Sequence, residues 1–143
     1  MNKKVSDVLL RKSANLISIT PGTSVIDALQ IMADKNIGSV VIIADGIYKG
    51  IVTERDYSRK VVLKGRSSTG TTVAEIMSAD LPAVKPGDSI EHCMQLMSDK
   101  NIRYLPVFEN ESIVGIISIN DLVKETILSQ EETITHLRDY VHS

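Results

Sequence analysis

Tryptophan is absent from the 143-residue sequence, which has only one phenylalanine, four tyrosines and one cysteine. A core without many aromatic rings must be aliphatic, and a hydrophobic content of 43% can supply one. The single cysteine, Cys93, excludes an intramolecular disulfide. No run approaches the roughly 18 apolar residues of a membrane span, and no signal-peptide stretch follows the first residues. We therefore expect a cytoplasmic globular protein.

Excess charge is also small, because the formal net charge is −2. Nucleic acids and acidic membranes usually require a basic face, so neither is an expected partner, and a nucleic-acid binder is only a weak alternative.

His92, His136 and His142 show no metal-ligand spacing with one another or with Cys93, and we expect surface histidines and a buried, inert thiol. No acid–base pair or nucleophile arrangement emerges, so we expect neither an enzyme nor a resident metal or cofactor.

The sequence contains an internal repeat. Residues 21–56 align without a gap with residues 86–121, 65 positions later, and 12 of the 36 pairs are identical. Two copies are too few for a solenoid, which favours a duplicated domain with pseudo-two-fold symmetry. We place the first repeat at residues 1–66, the second at 67–127, and an amphipathic helical extension at 128–143.

Each repeat has the pattern α-β-α-β-β-α. Strands are predicted at 16–20, 39–44 and 49–53, and again at 83–85, 104–109 and 113–118. A helix is predicted over 25–35, capped by Ser24 and ended by Asn36; its counterpart begins near Asp88 and ends at Asn101. Short helices at 5–10 and 72–77 lead the repeats, and residues 125–141 form an amphipathic helix. The stretch 64–71 is predicted to be a linker. The mildly basic tract 60–66 could touch the phosphates of a long ligand, but it is interpreted as solvated.

The most informative segments end the two hairpins, Gly50-Ile-Val-Thr-Glu-Arg-Asp and Gly115-Ile-Ile-Ser-Ile-Asn-Asp. In both, a hydroxyl residue ends a strand and an aspartate follows three residues later at a helix start. The carboxylate can accept two ribose hydroxyls, and the hydroxyl with helix N-terminal amides suits phosphate oxygens. The alternative is that Asp56 and Asp121 only cap helices while Thr53 and Ser118 only end strands. Both interpretations stay open at this stage.

This duplicated Gly-h-h-Thr/Ser-x-x-Asp pattern, in which h is a hydrophobic residue, resembles the tandem cystathionine-β-synthase (CBS) domain pair, or Bateman module. The stretch Ile-Arg-Tyr-Leu-Pro-Val at 102–107 adds to the likeness, which covers residues 5–127. Glu-Arg-Asp-Tyr at 54–57 and Lys-Gly-Arg-Ser-Ser at 64–68 are similar to stand-alone bacterial members. The resemblance implies an α/β (α+β) fold with two clefts, each built from both repeats, in which the aspartate holds ribose, hydroxyls and basic residues hold phosphate, and aliphatic residues sandwich the base.

The resemblance also assigns nucleotide-binding residues. One cleft would take Ile51, Thr53, Arg55 and Asp56 from the first repeat and Ile102, Arg103, Tyr104 and Pro106 from the second. The other would take Ile116, Ser118, Asn120 and Asp121, with Ile17, Ile37, Gly38 and Ser39. Arg55 and Arg103 correspond to Asn120 and Gly38, so we expect tighter phosphate binding in the Asp56 cleft.

Taken together, the duplicated motif and the resemblance imply a non-catalytic regulatory module that binds an adenine nucleotide such as AMP, ATP or NAD and senses the energy or nucleotide state of the cell. It would act in signal transduction as a homodimer on a protein target that the sequence does not name. The alternative is a structural dimerisation module whose clefts are empty or bind S-adenosylmethionine, polyphosphate or a metal.

Overall fold

The computed structural model describes residues 3–12 and 16–142. Its elements, in chain order, are helix α1 (Val5–Lys12), strand β1 (Ser18–Ile19), helix α2 (Val25–Lys35), strands β2 (Ser39–Ala44) and β3 (Ile47–Thr53), helix α3 (Glu54–Tyr57), a π-helical turn (Ser58–Val62), a 3-10 turn (Val73–Glu75), helix α4 (Ile90–Lys100), strands β4 (Tyr104–Glu109) and β5 (Ser112–Ser118), and helix α5 (Ile119–His142). This mixture of helices and two small sheets confirms the predicted α/β class.

The chain divides into two compact units. The middle unit is Leu16–Leu81, and the terminal unit combines residues 1–15 with residues 82–143. In the middle unit β1 lies parallel to β2, and β2 is antiparallel to β3. In the terminal unit β4 and β5 form the antiparallel pair, and the predicted strand at 83–85 is reduced to one parallel bridge between Val84 and Val107.

Both antiparallel hairpins have the same geometry. The turn residues Asp45 and Gly46, and likewise Asn110 and Glu111, have positive φ. Two consecutive residues with positive φ are typical of the type I′ turn, which matches the twist of the strands that it joins. Each hairpin also shifts register at the same place, between Ile42 and Ile43 and between residues 107 and 108.

Caps define α2 and α4 as the sequence predicted, with one correction. Ser24 caps α2, and both helices end at an asparagine, Asn36 or Asn101, in the left-handed conformation. The cap of α4 is Ser89, whose hydroxyl accepts from the His92 amide, and not Asp88. Asp88 lies one residue too early and accepts from the Lys85 amide instead.

The two compact units do not follow the predicted boundary at residue 66. Helix α1 leads the first repeat in sequence, yet Val5 and Val8 are buried in the core of the terminal unit with Leu105 and Ile117. Conversely, the segment that leads the second repeat buries its apolar side chains in the core of the middle unit, with α2 and the sheet; these residues are Val73 and Ile76. Each unit therefore takes its leading segment from the sequence of the other repeat.

Two further expectations need correction. The predicted helix at 72–77 is only a 3-10 turn, although its capping box between Thr72 and Glu75 is present. The predicted linker at 64–71 lies inside the middle unit, and although most of its residues are exposed, Thr71 is buried and its carbonyl accepts from the Val25 amide. Residues 128–142, in the predicted helical extension, continue α5, which begins at Ile119 and is interrupted by no glycine or proline.

Across the described ranges 3–12 and 16–142, no helix is both long and apolar enough to cross a bilayer.

Candidate functional site

The hydroxyl and carboxylate of the first motif form a closed capping box where β3 meets α3. The Thr53 hydroxyl accepts from the Asp56 amide at 3.0 Å. In return, Asp56 Oδ2 accepts from the Thr53 amide at 2.9 Å and from the Thr53 hydroxyl at 3.0 Å. Asp56 is buried, so these bonds hold the carboxylate in a fixed position at the end of the strand.

The second repeat builds the same box where β5 meets α5. The Ser118 hydroxyl accepts from the Asp121 amide at 3.1 Å, and Asp121 Oδ2 accepts from the Ser118 amide at 2.8 Å. Both aspartates therefore do cap helices, as one of the two interpretations of the sequence predicted. Capping does not use all the acceptor capacity of a carboxylate, which has about four lone-pair sites.

An ammonium group lies against each of these carboxylates. Lys60 Nζ is 3.0 Å from Asp56 Oδ1, and Lys12 Nζ is 3.0 Å from Asp121 Oδ2. Each also donates to a main-chain carbonyl, Lys60 to Ile76 and Lys12 to Ile116. Lys60 in the tract 60–66 is therefore bonded to the protein although its side chain is 43% exposed, whereas Arg66 is exposed, as expected of a solvated tract, and pairs with the exposed Glu75 at 2.7 Å.

Sequence reasoning missed both lysines because the repeat does not show them. A shift of 65 residues places Met77 at the position of Lys12 and Glu125 at the position of Lys60. The spacing of Asp56 and Lys60, four residues apart near a helix start, was the one signal that could have found a pair.

The two aspartates differ in how fully they are bonded. Asp56 also accepts from the Ser78 hydroxyl at 3.3 Å, so four donors occupy its two oxygens. Both donors described for Asp121, the Ser118 amide and Lys12, bond to Oδ2. A ribose hydroxyl at Asp121 can therefore use Oδ1, whereas at Asp56 it has to replace a donor, and the long Ser78 bond is the weakest.

In the middle unit, the other predicted residues gather at the same end of the sheet. Ser39 pairs with Thr53 across β2 and β3, and the Gly38 carbonyl accepts from the Glu54 amide at 3.1 Å. The Ile17 carbonyl accepts from the Val41 amide. The remaining members are Ile37, which packs against the core, Ile51, which is fully buried, and Arg55, which is half-buried.

The terminal unit repeats this arrangement. Tyr104 pairs with Ser118, and the Arg103 carbonyl accepts from the Ile119 amide at 2.9 Å. Pro106 and Ile116 pair across β4 and β5, while Ile102 packs against the core. The side chains of Arg103 and Asn120 are exposed. Each unit thus brings its own half of the predicted residues together, and the prediction that a cleft combines residues of both repeats stays a prediction.

An apolar sheet face accompanies each capping box. Alternation along the strands separates Val41 and Ile51 from Val40, Ile42 and Val52, which belong to the core under α2. In the terminal unit the corresponding cross-strand pair is Pro106 and Ile116. These pairs lie on the same sheet face as the hydroxyl residues. Val41, Ile51 and Pro106 are buried there, and Ile116 is the partly exposed member that a planar base could contact.

Cys93 does not contribute to this site. Its thiol is buried in the core of the terminal unit, and burial, with a smaller effect of Asp88, raises its pKa to about 11. Such a thiol is protonated at neutral pH and is a poor nucleophile. His92 is exposed, and the side chains of His136 and His142 lie outside the described residues. No cluster of potential metal ligands occurs in the described part of the chain.

Comparison with known proteins identifies the family. The CBS domain matches residues 5–62 and 73–127. The chain belongs to the CBS domain family. Its relative CBSX3, a mitochondrial CBS domain-containing protein of Arabidopsis thaliana, is 34% identical over 96% of this chain and 71% of that protein. CBS domain pairs are in general regulatory, ligand-binding and non-catalytic modules.

Solved CBS structures share the fold. A protein with CBS domains from Burkholderia ambifaria is 41% identical and superposes with a TM-score of 0.85 over 90% of this chain and 96% of its own. The CBS domain pair of the protein MJ0100, in complex with methylthioadenosine and S-adenosyl-L-methionine, is 25% identical with a TM-score of 0.77, over 88% of this chain and 97% of its own. The CBS domain pair predicted from the sequence is thus confirmed.

Proposed function

We propose that the protein is a regulatory module that binds an adenine nucleotide such as AMP, ATP or NAD and performs no chemistry on it. The observation that carries the proposal is the repeated group of a capping-box aspartate, a hydroxyl residue and an ammonium at the end of each sheet. Its expected output is a change in the conformation or assembly of the protein, read by a protein target.

Ribose recognition is the first element of the proposal. The carboxylates of Asp56 and Asp121 are fixed by main-chain bonds, so they are preorganised to accept the hydroxyls of a sugar diol. Preorganised acceptors avoid the entropic cost of ordering a side chain on binding. Asp121 offers Oδ1 directly, and Asp56 offers Oδ1 once the Ser78 hydroxyl moves away.

Base and phosphate complete the ligand. On this sheet face the partly exposed Ile116, next to Pro106, suits an uncharged ring such as adenine, whereas the corresponding Val41 and Ile51 are fully buried. Arginines suit phosphate because the guanidinium can bond two oxygens at once. We assign Arg55 and Arg103 to this role, which makes the Asp56 site the tighter one for phosphate.

The relative MJ0100 supports the choice of an adenosine compound, because both of its bound molecules contain adenosine. Neither carries a phosphate group, so that complex is evidence for ribose and base recognition in a relative. The preference of this chain for a phosphorylated ligand rests on its own basic residues.

A second candidate, a structural dimerisation module, is favoured by the exposed apolar side chains of α5. Ile127 and Ile134 are each 49% exposed, and Leu137 is 60% exposed. Apolar residues at this spacing form a stripe along one side of a helix, and a stripe of this kind can pair with a second copy. In this alternative the aspartates only cap helices.

Thermal melts with adenosine, AMP, ATP, NAD and S-adenosylmethionine separate the two candidates. A ligand that binds only the native state raises the melting temperature, with about 2.7 kcal/mol of stabilisation at one hundred times its Kd. We expect AMP and ATP to raise it in the wild type and to do so less in Asp56→Ala and Asp121→Ala. A protein whose melting temperature responds to none of these compounds, yet which sediments as a dimer that Ile134→Asp disrupts, would establish the structural module instead.

A further inference from the structure

Lys12 and Lys60 make equivalent contacts from non-equivalent places in the two repeats. Lys60 follows α3 within the middle unit, whereas Lys12 ends α1, the leading helix of the terminal unit. Each ammonium bonds one aspartate of the duplicated motif and one main-chain carbonyl. Because the 65-residue shift aligns neither lysine with a lysine, duplication alone does not explain why both units have an ammonium at this point.

The bonding of the ammonium leaves room for a ligand. A lysine ammonium has three N–H donors, and the aspartate and the carbonyl take two of them. The side chains of Lys12 and Lys60 are 33% and 43% exposed, so the third N–H of each can reach an acceptor from solution. At Asp121 both the carboxylate and the ammonium are therefore available to one bound molecule, and at Asp56 the carboxylate becomes available once the Ser78 hydroxyl moves away.

The charge of the pair also matters. A carboxylate that binds ribose places a negative charge near the phosphates of the same ligand, which weakens phosphate binding. An ammonium 3.0 Å away offsets this charge, while the carboxylate oxygens still accept hydroxyls.

We propose that Lys12 and Lys60 are specificity-determining residues that favour phosphorylated adenosine ligands over uncharged adenosine. This inference rests on the proposed function, since it assumes that ribose binds the two aspartates. It extends the function by assigning the selection of a phosphate to residues other than Arg55 and Arg103. Lys12 acts on the ligand at Asp121, and Lys60 acts on the ligand at Asp56.

The test compares the affinities of adenosine and AMP by isothermal titration calorimetry. The variants are Lys12→Met and Lys60→Met, and the matched controls are Lys64→Met and Lys100→Met, which remove exposed lysines. We expect each of the first two variants to lose about tenfold in AMP affinity at its site, the size of one charge-assisted hydrogen bond, with adenosine affinity unchanged or higher. The controls should change neither affinity.

Conservative variants guard against a purely structural effect. Lys12→Arg and Lys60→Arg keep the charge and should recover most of the preference for AMP, and raised salt should reduce that preference in the wild type more than in the Met variants. An equal loss of adenosine and AMP affinity would overturn the role of the lysines but not the proposed function. The same holds if the ratio of AMP to adenosine affinity is unchanged while the melting temperature falls. A wild-type protein that binds neither compound would overturn the proposed function, and this inference with it.

Discussion

Arg11 and Glu125 are 114 residues apart in the chain, and the Arg11 Nε–H donates to Glu125 Oε2 at 2.6 Å. The Glu125 side chain is 2% exposed, and Lys3 Nζ lies 3.9 Å from its other oxygen. Glu132 extends the network, at 3.7 Å from Arg11 and 3.4 Å from Lys3. These contacts attach α1 to α5 within the terminal unit, one residue before the lysine that reaches Asp121.

Removal of one partner should therefore destabilise the terminal unit. Arg11→Met leaves the buried Glu125 carboxylate without its closest cation, and we expect a loss of about 2 kcal/mol, below the usual cost for a fully buried pair because Arg11 is half-exposed. Urea denaturation measures the loss. The double variant Arg11→Met/Glu125→Met should be more stable than Arg11→Met. Equal stabilities of Arg11→Met and the exposed-site control Arg138→Met would contradict the prediction.

Gly50 and Gly115 should respond differently to the same substitution. A Cβ on Gly50 would lie 2.7 Å from the Ser78 carbonyl oxygen, a main-chain atom, whereas a Cβ on Gly115 would lie 2.7 Å from a terminal methyl of Leu9. The leucine can rotate and the backbone cannot, so we expect Gly50→Ala to cost about 2–3 kcal/mol and Gly115→Ala about 1 kcal/mol. Thermal denaturation checks the order, with Gly87→Ala as the control because its Cβ would meet nothing within 4 Å. A larger cost at Gly115 would refute this account.

Substitution of Asp56 and of Asp121 should affect the affinities for adenosine and AMP differently. Asp121 keeps Oδ1 for a hydroxyl, while four donors already surround Asp56. We therefore expect Asp121→Asn to weaken adenosine more than Asp56→Asn does, by about tenfold for a lost charged hydrogen bond. For AMP the larger loss should occur with Asp56→Asn, because Arg55 and Arg103 make the Asp56 site the tighter AMP site, so its ribose contact contributes more to the total AMP binding. Titration calorimetry measures the affinity of each variant for adenosine and for AMP. If the same variant lost more affinity for both ligands, the prediction would be contradicted.

Stability should fall in alkaline solution because of Cys93. Burial raises the pKa of this thiol from 9.0 to about 11, so the unfolded chain releases its proton at a lower pH than the folded chain does. The contribution is fully present below pH 9 and is lost as pH rises towards 11. Urea denaturation between these pH values should show a decline that is smaller in Cys93→Ala. Burial also raises the pKa of Tyr48, to about 12, so Tyr48→Phe is the matched variant for the decline above pH 10. Identical pH profiles for the wild type and Cys93→Ala would contradict the assignment.

Local signals in the sequence predicted the local structure well. Ser24, Asn36 and Asn101 mark helix ends through their own side chains, and Asp45-Gly46 marks a turn, so each was identified without tertiary information. The same holds for the capping boxes of Asp56 and Asp121, which depend on residues three positions apart. Ser89 could also have been identified, because the repeat aligns it with Ser24.

Contacts between distant residues were not predictable in this way. Lys12 meets Asp121 and Ser78 meets Asp56 only because the chain folds, and neither partner is marked by its neighbours in sequence. The placement of α1 in the terminal unit has the same cause. The end of the second repeat at residue 127 came from the extent of the resemblance and agrees with the matched CBS domain, whereas α5 continues past this residue without a glycine or proline.

Each unit buries the leading segment of the other repeat, and this exchange affects the order of folding during synthesis. All core residues of the middle unit lie between Val25 and Ile76, so that core is complete in the chain soon after residue 76 has left the ribosome. The core of the terminal unit needs Val5 and Val8 together with Leu122, the latest of its residues to be made. Helix α1 is thus synthesised long before the rest of its core, and until β4 and β5 emerge its apolar side lacks most of the residues that bury it.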